Sequence, residues 1–212
     1  MGGLVCPHYC CSCGMFGEIL CGCCKKYIII NAPNICLECG EATWGGVCEF
    51  CRGIDSSWCL GYRDEVVGLA AEYYKYRPIR ALGVELAGML GELLPSWRDV
   101  KIVPLPTISK HVRERGFDHV LLVARELAKI RGWEVKRLVR RRVETVQMGA
   151  NRSTRRQQAR RAYKIAGEVD SGARYLVLDD IYTTGASVRN VCDLLRAAGA
   201  KKIDVAVIAR SR

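Results

Sequence analysis

Two neighbouring acidic residues followed by a hydroxyl-rich turn form the first feature that could do chemistry. In the stretch LVLDDIYTTGAS, residues 176–187, the acid pair Asp179 and Asp180 ends a short apolar run. The turn that follows, here named the phosphate loop, consists of Thr183, Thr184, Gly185, Ala186 and Ser187. Backbone N–H groups and hydroxyls at a helix N-terminus bind phosphate. Because carboxylates repel phosphate, we expect a ribose between them, with its hydroxyls on the acid pair and its 5-phosphate on the loop.

Paired cysteines near the N-terminus are the second such feature. Twelve of the thirteen cysteines lie between Cys6 and Cys59, and the pattern C-x2-C, short spacer, C-x2-C occurs twice. The residues of this pattern are Cys10, Cys13, Cys21 and Cys24 in the first half and Cys36, Cys39, Cys48 and Cys51 in the second. Thiolates three residues apart on a tight turn can face one ion, and Gly14 and Gly40 let the turns close. The pattern predicts two structural zinc sites, each with four sulfur ligands and no open position for catalysis.

The first half contains more possible ligands than a four-sulfur site needs. Cys6, Cys11 and Cys23 offer competing sulfurs there, and the two halves could exchange cysteine pairs. Disulfides in the cytoplasm of a thermophile are the alternative to metal binding. The clustering in one part of the chain favours metal in a reducing compartment.

Positive charge is concentrated in one part of the chain. The formal net charge is +11, and the basic segment, residues 136–164, contains eleven lysines or arginines against the single acid Glu144. Arginines at helical spacing follow Ser153, a possible helix start, and the candidate polyanion contacts are Arg152, Arg155, Arg156, Arg160 and Arg161. A solvated helix face is the alternative interpretation. Trp133 and Tyr163 are the only aromatic residues nearby, which favours contacts with a nucleic-acid backbone over base stacking.

The elements that must position these residues follow from apolar periodicity. RYLVLDD and KIDVAVIA are near-continuous apolar runs, typical of strands buried on both faces of a parallel sheet. A helical stripe from Val188 to Ala198 separates them, VKIVPLP predicts another strand, and residues 65–94 and 120–130 have helical spacing. The sequence therefore predicts an α/β fold over residues 56–212, with the acid pair at the carboxyl end of a strand, where such sheets bind ligands. Residues 1–55 would form a separate cysteine-rich unit.

Composition excludes several classes of protein. Half of the residues are hydrophobic, which suits a globular chain rather than a disordered one. Uninterrupted apolar runs last only a few residues, too short to span a bilayer. The start, MGGLVCPHYCC, has neither the basic nor the apolar region of a signal peptide. We therefore expect a cytoplasmic protein without a membrane span; the sequence leaves its oligomeric state open.

Together these motifs resemble a known family. The acid pair with T-T-G resembles the phosphoribosyl pyrophosphate (PRPP) loop of type I phosphoribosyltransferases. With VPLP at 103–106, RERGFD at 113–118, NRSTRRQQARRAY at 151–163 and the cysteine pairs, the whole chain resembles the competence protein F (ComF/GntX-type) family. The resemblance implies a type I phosphoribosyltransferase-like parallel sheet with flanking helices, preceded by a double zinc ribbon.

The resemblance also implies roles for particular residues. The turn Leu105, Pro106 and Thr107 would bind the pyrophosphate, with Arg113 and Arg115 closing over it and Lys75 assisting. Magnesium would enter with PRPP. The family usually has Asn where this chain has Asp118, and hypoxanthine-type transferases have an acid where this chain has Thr183, which argues against a hypoxanthine-type substrate. His111 and His119, which flank the arginines, carry a weaker signal for phosphate contact.

Two functions are compatible with this resemblance. The first is a phosphoribosyltransferase that moves the phosphoribosyl group of PRPP to an acceptor and releases pyrophosphate. The second is an accessory protein that senses PRPP without turnover and binds single-stranded DNA through the basic segment. An acidic strand end that merely caps the next helix is the structural alternative for the loop. The sequence does not name the acceptor.

Overall fold

A computed structural model describes residues 9–51, 53–77, 79–142 and 162–212. Its helices are α1 (Gly22–Ile30), α2 (Val66–Tyr76), α3 (Arg80–Leu93), α4 (Ser109–Arg115), α5 (His119–Arg131) and α6 (Ala186–Ala197). Its strands are β1 (Ser56–Cys59), β2 (Val100–Pro104), β3 (Glu134–Val135), β4 (Val139–Arg141), β5 (Tyr163–Ile165), β6 (Arg174–Tyr182) and β7 (Lys202–Arg210). Within the described ranges, no helix is long and apolar enough to cross a membrane.

Five strands form one parallel sheet in the order β1-β7-β6-β2-β3. The central strands β6 and β7 come from the two unalternated apolar runs, and both faces of these strands are covered, as the sequence predicts. The α/β fold class with a parallel sheet and flanking helices is therefore confirmed. β4 and β5 form a separate antiparallel pair that brackets residues 143–161.

Successive residues of β6 point into two different cores. Leu176 and Leu178 lie on one face with the apolar sides of α2, α3 and α5, whereas Tyr175 and Val177 lie on the other face with α6. The stripe predicted on α6 is present: Val188, Val191, Cys192 and Leu195 are buried. The sheet with helices on both sides holds the carboxyl ends of β2 and β6 side by side.

The cysteine-rich region packs against both faces of this sheet. Leu20 and Ile28 are buried in the core that contains α2 and α3. Leu37, in the turn between Cys36 and Cys39, is 0% exposed and belongs to the core that contains Val177 and α6. Its backbone N–H donates to the Ser57 hydroxyl at 3.2 Å. The turn of the second cysteine motif is thus part of the structure that supports the end of β6.

Replacement of Leu37 by alanine should test this packing. We expect Leu37→Ala to lower the free energy of unfolding by about 2–4 kcal/mol, because it leaves a cavity in a core that cannot fully collapse. Leu69→Ala, at a half-exposed position of α2, is the matched control and should change it by less than about 0.5 kcal/mol. Urea titration followed by tryptophan fluorescence measures both; equal effects of the two changes would contradict the proposed packing.

Candidate functional site

The acid pair lies within β6, near its carboxyl end, and not beyond the strand. β6 extends to Tyr182, so the phosphate loop begins directly at the strand end and runs into α6. Thr183, Thr184 and Ala186 are exposed, and the Thr184 hydroxyl accepts the Ala186 N–H at 3.4 Å. The structure therefore places the acid pair and an open helix N-terminus next to each other, as the sequence predicts.

Gly185 fixes the shape of the phosphate loop. Its φ is +70°, in the left-handed region, and it precedes α6 directly. A Cβ at this position would overlap the ring and hydroxyl of the buried Tyr182. Burial raises the pKa of Tyr182 to about 12, so the ring stays neutral beneath the loop. Only glycine satisfies both the backbone angle and the close approach.

Asp180 is ionised and has two cationic or hydrogen-bonding partners. Lys75 Nζ at the end of α2 lies 2.8 Å from its Oδ2, and His119 Nε2 at the start of α5 lies 2.9 Å from the same oxygen. Burial opposes the charge of Asp180, but the hydrogen bond from His119 and the charge of Lys75 outweigh it and lower its pKa. The structure thus brings Lys75 to the acid pair from a distant part of the sequence.

Asp179 has the opposite electrostatic environment. Burial, and next the charge of Asp180, raise its pKa well above the usual value for a carboxyl group. Its Oδ1 accepts the backbone N–H of Asp180 at 2.8 Å. Because neighbouring carboxyl groups resist holding two charges, the pair can both accept and donate hydrogen bonds, which suits contact with sugar hydroxyls.

The turn after β2 faces the start of α5. Leu105 is buried and its N–H donates to the Leu178 carbonyl at 2.9 Å. The Thr107 hydroxyl donates to Asp118 Oδ1 at 2.9 Å, and the same oxygen caps α5 by accepting the Leu121 N–H at 3.1 Å. Asp118, which departs from the usual family residue, thus links the predicted pyrophosphate turn to α5.

The two predicted arginines lie in different environments. Residues 109–115 form the short helix α4, on which Arg113 is exposed and Arg115 is half-buried. Arg115 Nη1 lies 3.0 Å from His119 Nδ1, which places its guanidinium one residue away from Asp180. Arg113 has no part in these contacts. His119 is buried and connects Arg115 to Asp180, a role that the sequence signal for phosphate contact did not reveal.

Two clefts flank Lys75 and Tyr76, a largely exposed aromatic residue. One, of about 480 Å³, also includes Arg77, His111, Glu114 and Arg115. The other, of about 380 Å³, also includes Arg63, Glu72, Asp180, Ile181 and Thr183. The second cleft is bounded by Asp180 of the acid pair and by Thr183 of the phosphate loop, so a small molecule there would contact both.

Strands β4 and β5, which lie near the two ends of the basic segment, approach the site. Arg141 Nε donates to the Pro106 carbonyl at 3.2 Å, and the Tyr163 hydroxyl lies 3.4 Å from Ser187 Oγ. The predicted nucleic-acid contacts Arg152, Arg155, Arg156, Arg160 and Arg161 lie outside the described residues. Trp133 and Tyr163 are buried and are therefore unavailable for base stacking.

The eight predicted cysteine ligands form two clusters whose sulfur atoms lie within 4.8 Å of one another in each. The first cluster is Cys10, Cys13, Cys21 and Cys24, and the second is Cys36, Cys39, Cys48 and Cys51. Each cluster uses the four cysteines of one half, a choice that the sequence left open, and Cys11 and Cys23 lie outside the first cluster. Gly14 and Gly40 have φ of +74° and +82°, as the tight turns require.

The distances between sulfur atoms fit tetrahedral coordination of one metal ion. Cys13 Sγ and Cys21 Sγ are 3.6 Å apart, and Cys39 Sγ and Cys48 Sγ are 3.7 Å apart. A Zn–S bond of about 2.3 Å gives a tetrahedron with an edge of about 3.8 Å. The backbone N–H of Cys51 lowers the pKa of Cys48 to about 7, so that thiol readily becomes a thiolate at neutral pH.

The second cluster contacts the phosphate loop through side chains. Glu38 Oε1 lies 3.5 Å from Arg189 Nη1, and another nitrogen of the same guanidinium donates to the Thr184 carbonyl. Arg210 Nη1 donates to the Cys36 carbonyl at 3.2 Å. The cysteine-rich region therefore contributes to the surroundings of the candidate site.

Comparison with known proteins agrees with this geometry. Residues 121–212 match the family model described as a phosphoribosyl transferase domain. Among curated proteins, the chain is 28% identical over 177 residues to competence protein ComFC of Streptococcus pneumoniae, covering 82% of this chain and 77% of the relative. It is 25% identical over 215 residues to competence protein F of Haemophilus influenzae, covering 91% and 90%.

A further relative, DNA utilization protein YhgH of Salmonella typhi, is 27% identical over 113 residues, covering 52% of this chain and 49% of the relative. The parallel sheet and the loop after β6 agree with the phosphoribosyl transferase domain that matches residues 121–212. Over most of its length the chain is similar to ComF-type competence proteins.

Substitution at Gly185 should disrupt the loop. We expect Gly185→Ala to lower the free energy of unfolding by about 2–4 kcal/mol, because alanine is strained at positive φ and displaces Tyr182. Gly88→Ala in α3 is the control: its Cβ meets open space, and the substitution should raise stability by about 0.5–1 kcal/mol. Thermal unfolding measures both; a stabilised Gly185→Ala would show that the loop does not require glycine.

Proposed function

We propose that the protein binds PRPP with magnesium at the loop after β6 and transfers its phosphoribosyl group to an acceptor, releasing pyrophosphate. The observation that carries the proposal is the acid pair beside a helix N-terminus, with Lys75 and His119 on Asp180 and Arg115 linked to it through His119. Such an arrangement separates the groups suited to a phosphate, to sugar hydroxyls and to a diphosphate.

Each part of PRPP then has a partner. Asp179 and Asp180 bind the ribose hydroxyls, and the phosphate loop binds the 5-phosphate through backbone N–H groups and the hydroxyls of its threonines and serine. The turn of residues 105–107 and the two arginines of α4 bind the pyrophosphate. Lys75 already neutralises Asp180 and can share its charge with an incoming diphosphate.

The chemistry required of the protein is chiefly electrostatic. As the bond between the anomeric carbon and pyrophosphate breaks, positive charge develops on the ribose and negative charge on the leaving group. Ionised Asp180 stabilises the positive charge on the ribose, and the guanidinium groups stabilise the negative charge on the leaving group. An uncharged amine as acceptor needs no dedicated general base, and the proposal assigns none.

Magnesium, when bound with PRPP, neutralises the diphosphate and orients it as a leaving group. Among the described residues, the only groups of three or more potential metal ligands are the two cysteine clusters. This fits an ion brought in by the diphosphate rather than one held by the protein alone. The acceptor would enter the 380 Å³ cleft, between Tyr76 and Thr183.

We further propose that each cysteine cluster holds one structural zinc ion. The four-sulfur donor sets and their spacing support zinc, and neither cluster leaves a free ligand position for catalysis. The negative charge of two such sites would reduce the formal +11 to about +7. Reduced thiolates also support a cytoplasmic location.

Binding of single-stranded DNA is the second proposed function. It is supported by the eleven basic residues of the basic segment and by the similarity to DNA utilization protein YhgH. Residues 142 and 162, which flank the undescribed part, lie next to strands that contact the phosphate loop and the turn after β2. A PRPP-sensing DNA-binding protein without turnover is the alternative to an enzyme.

The PRPP proposal is tested by calorimetric titration of PRPP with magnesium into the zinc-loaded protein. We expect Asp179→Asn/Asp180→Asn to weaken binding by tenfold or more, about 1.4 kcal/mol. Asp193→Asn, an exposed acid on α6, should leave the affinity unchanged. Absence of binding by the wild type would refute the proposal. If binding occurs, pyrophosphate release in the presence of candidate amines distinguishes an enzyme from a sensor.

The DNA proposal is tested by fluorescence anisotropy of a labelled single strand at several salt concentrations. Replacement of Arg152, Arg155 and Arg156 by glutamine should reduce the slope of log K against log salt by about 2, because about 0.7 counterions are released per phosphate contact. Replacement of the exposed Arg125, Lys129 and Lys202 is the matched control. Equal losses in both variants would indicate a general charge effect and contradict a defined DNA site.

A further inference from the structure

The side chain of His119 uses both ring nitrogens. Nδ1 lies 3.0 Å from Arg115 Nη1, and Nε2 lies 2.9 Å from Asp180 Oδ2. A guanidinium group can only donate hydrogen bonds, so Nδ1 must accept. The proton of a neutral ring therefore resides on Nε2 and is donated to Asp180. The contacts on both sides fix one tautomer.

The surroundings of the ring leave little freedom for another arrangement. His119 is 3% exposed, and the Tyr74 hydroxyl donates to its backbone carbonyl at 2.9 Å. The rings of Tyr74 and His119 pack edge to face, with centroids 6.2 Å apart. If an apolar side chain replaced the imidazole, the packing and the backbone hydrogen bond would remain, but the hydrogen bonds to Arg115 and Asp180 would be lost.

Arg115 and Asp180 serve opposite ends of the ligand in the proposed function. Asp180 faces the ribose, and Arg115 faces the pyrophosphate from α4. His119 is the only described residue whose side chain hydrogen-bonds to both. A movement of either group is therefore transmitted through one rigid ring held at the start of α5.

We propose that His119 is a positioning residue that couples binding of the pyrophosphate to binding of the ribose. It holds Arg115 over the site and keeps Asp180 aimed at the sugar, so ordering of one end of PRPP favours ordering of the other. The inference rests on the proposed PRPP site and adds that the two ends bind cooperatively. Without the ring, Arg115 loses its acceptor, and Lys75 is the side chain that still holds Asp180 Oδ2.

Two substitutions separate this role from simple packing. His119→Leu keeps apolar volume but removes both hydrogen bonds, and His119→Gln keeps one donor and one acceptor at the end of the side chain. We expect His119→Leu to weaken PRPP binding, measured with magnesium by calorimetry, by tenfold or more. His119→Gln should remain within about threefold of the wild type. Circular dichroism and zinc content verify that both variants are folded.

A double-mutant cycle measures the coupling itself. Arg115→Met should weaken PRPP binding strongly in the wild-type background but by less than about twofold in the His119→Leu background, because the ring no longer transmits the contact. Additive effects, or equal losses in His119→Leu and His119→Gln, would overturn the inference while PRPP binding by the wild type stands. A wild type that binds no PRPP would instead refute the proposed function.

A second measurement covers the case in which His119→Leu does not fold. Nitrogen-15 NMR of the histidine side chains reports the tautomer directly, and we expect the Nε2–H form for His119 in the wild type. Arg115→Met, which leaves the core intact, should release Nδ1 and reduce the population of that form. An Nδ1–H tautomer in the wild type, or no response to Arg115→Met, would contradict the proposed link.

Discussion

The partly buried negative charge of Asp180 constrains the architecture around it. A carboxylate with so little water around it is stabilised when hydrogen bonds and opposite charge replace the lost water. Here they come from the end of α2 and the start of α5, which lie far apart in the sequence. Both helices must therefore pack on the same face of the sheet, at the level where β6 ends, and the core beneath them maintains that alignment.

Much of the fold could be predicted because its central elements have strong local signals. The long apolar runs of β6 and β7 and the stripe on α6 identify a covered parallel sheet from sequence alone. The short strands β1 and β3 have no such pattern, since four and two residues cannot establish a period. α1 was also missed, because its sequence, GCCKKYIII, lies within the cysteine motif and has weak amphipathic character.

The parts of the candidate site whose residues are neighbours in the sequence could be predicted. The parts that folding brings together from distant segments could be predicted less well. The acid pair, the phosphate loop and the cysteine clusters each occupy a short stretch, so residue type and spacing are informative. The connection of Arg115 to Asp180 depends on packing between elements. One signal was available: His119 begins the buried stripe of α5, which continues through Val123 and Leu127, and a polar side chain on such a stripe requires partners.

The strand order has a consequence for synthesis of the chain on the ribosome. β7 lies between β1 and β6, although β1 is the first and β7 the last of the described strands. β1 therefore has no sheet neighbour until β7 has been translated, and the core around Leu37 stays open until then. Contacts of such long sequence separation slow folding and expose apolar surface on the nascent chain. Closure of the sheet therefore has to wait for the synthesis of β7.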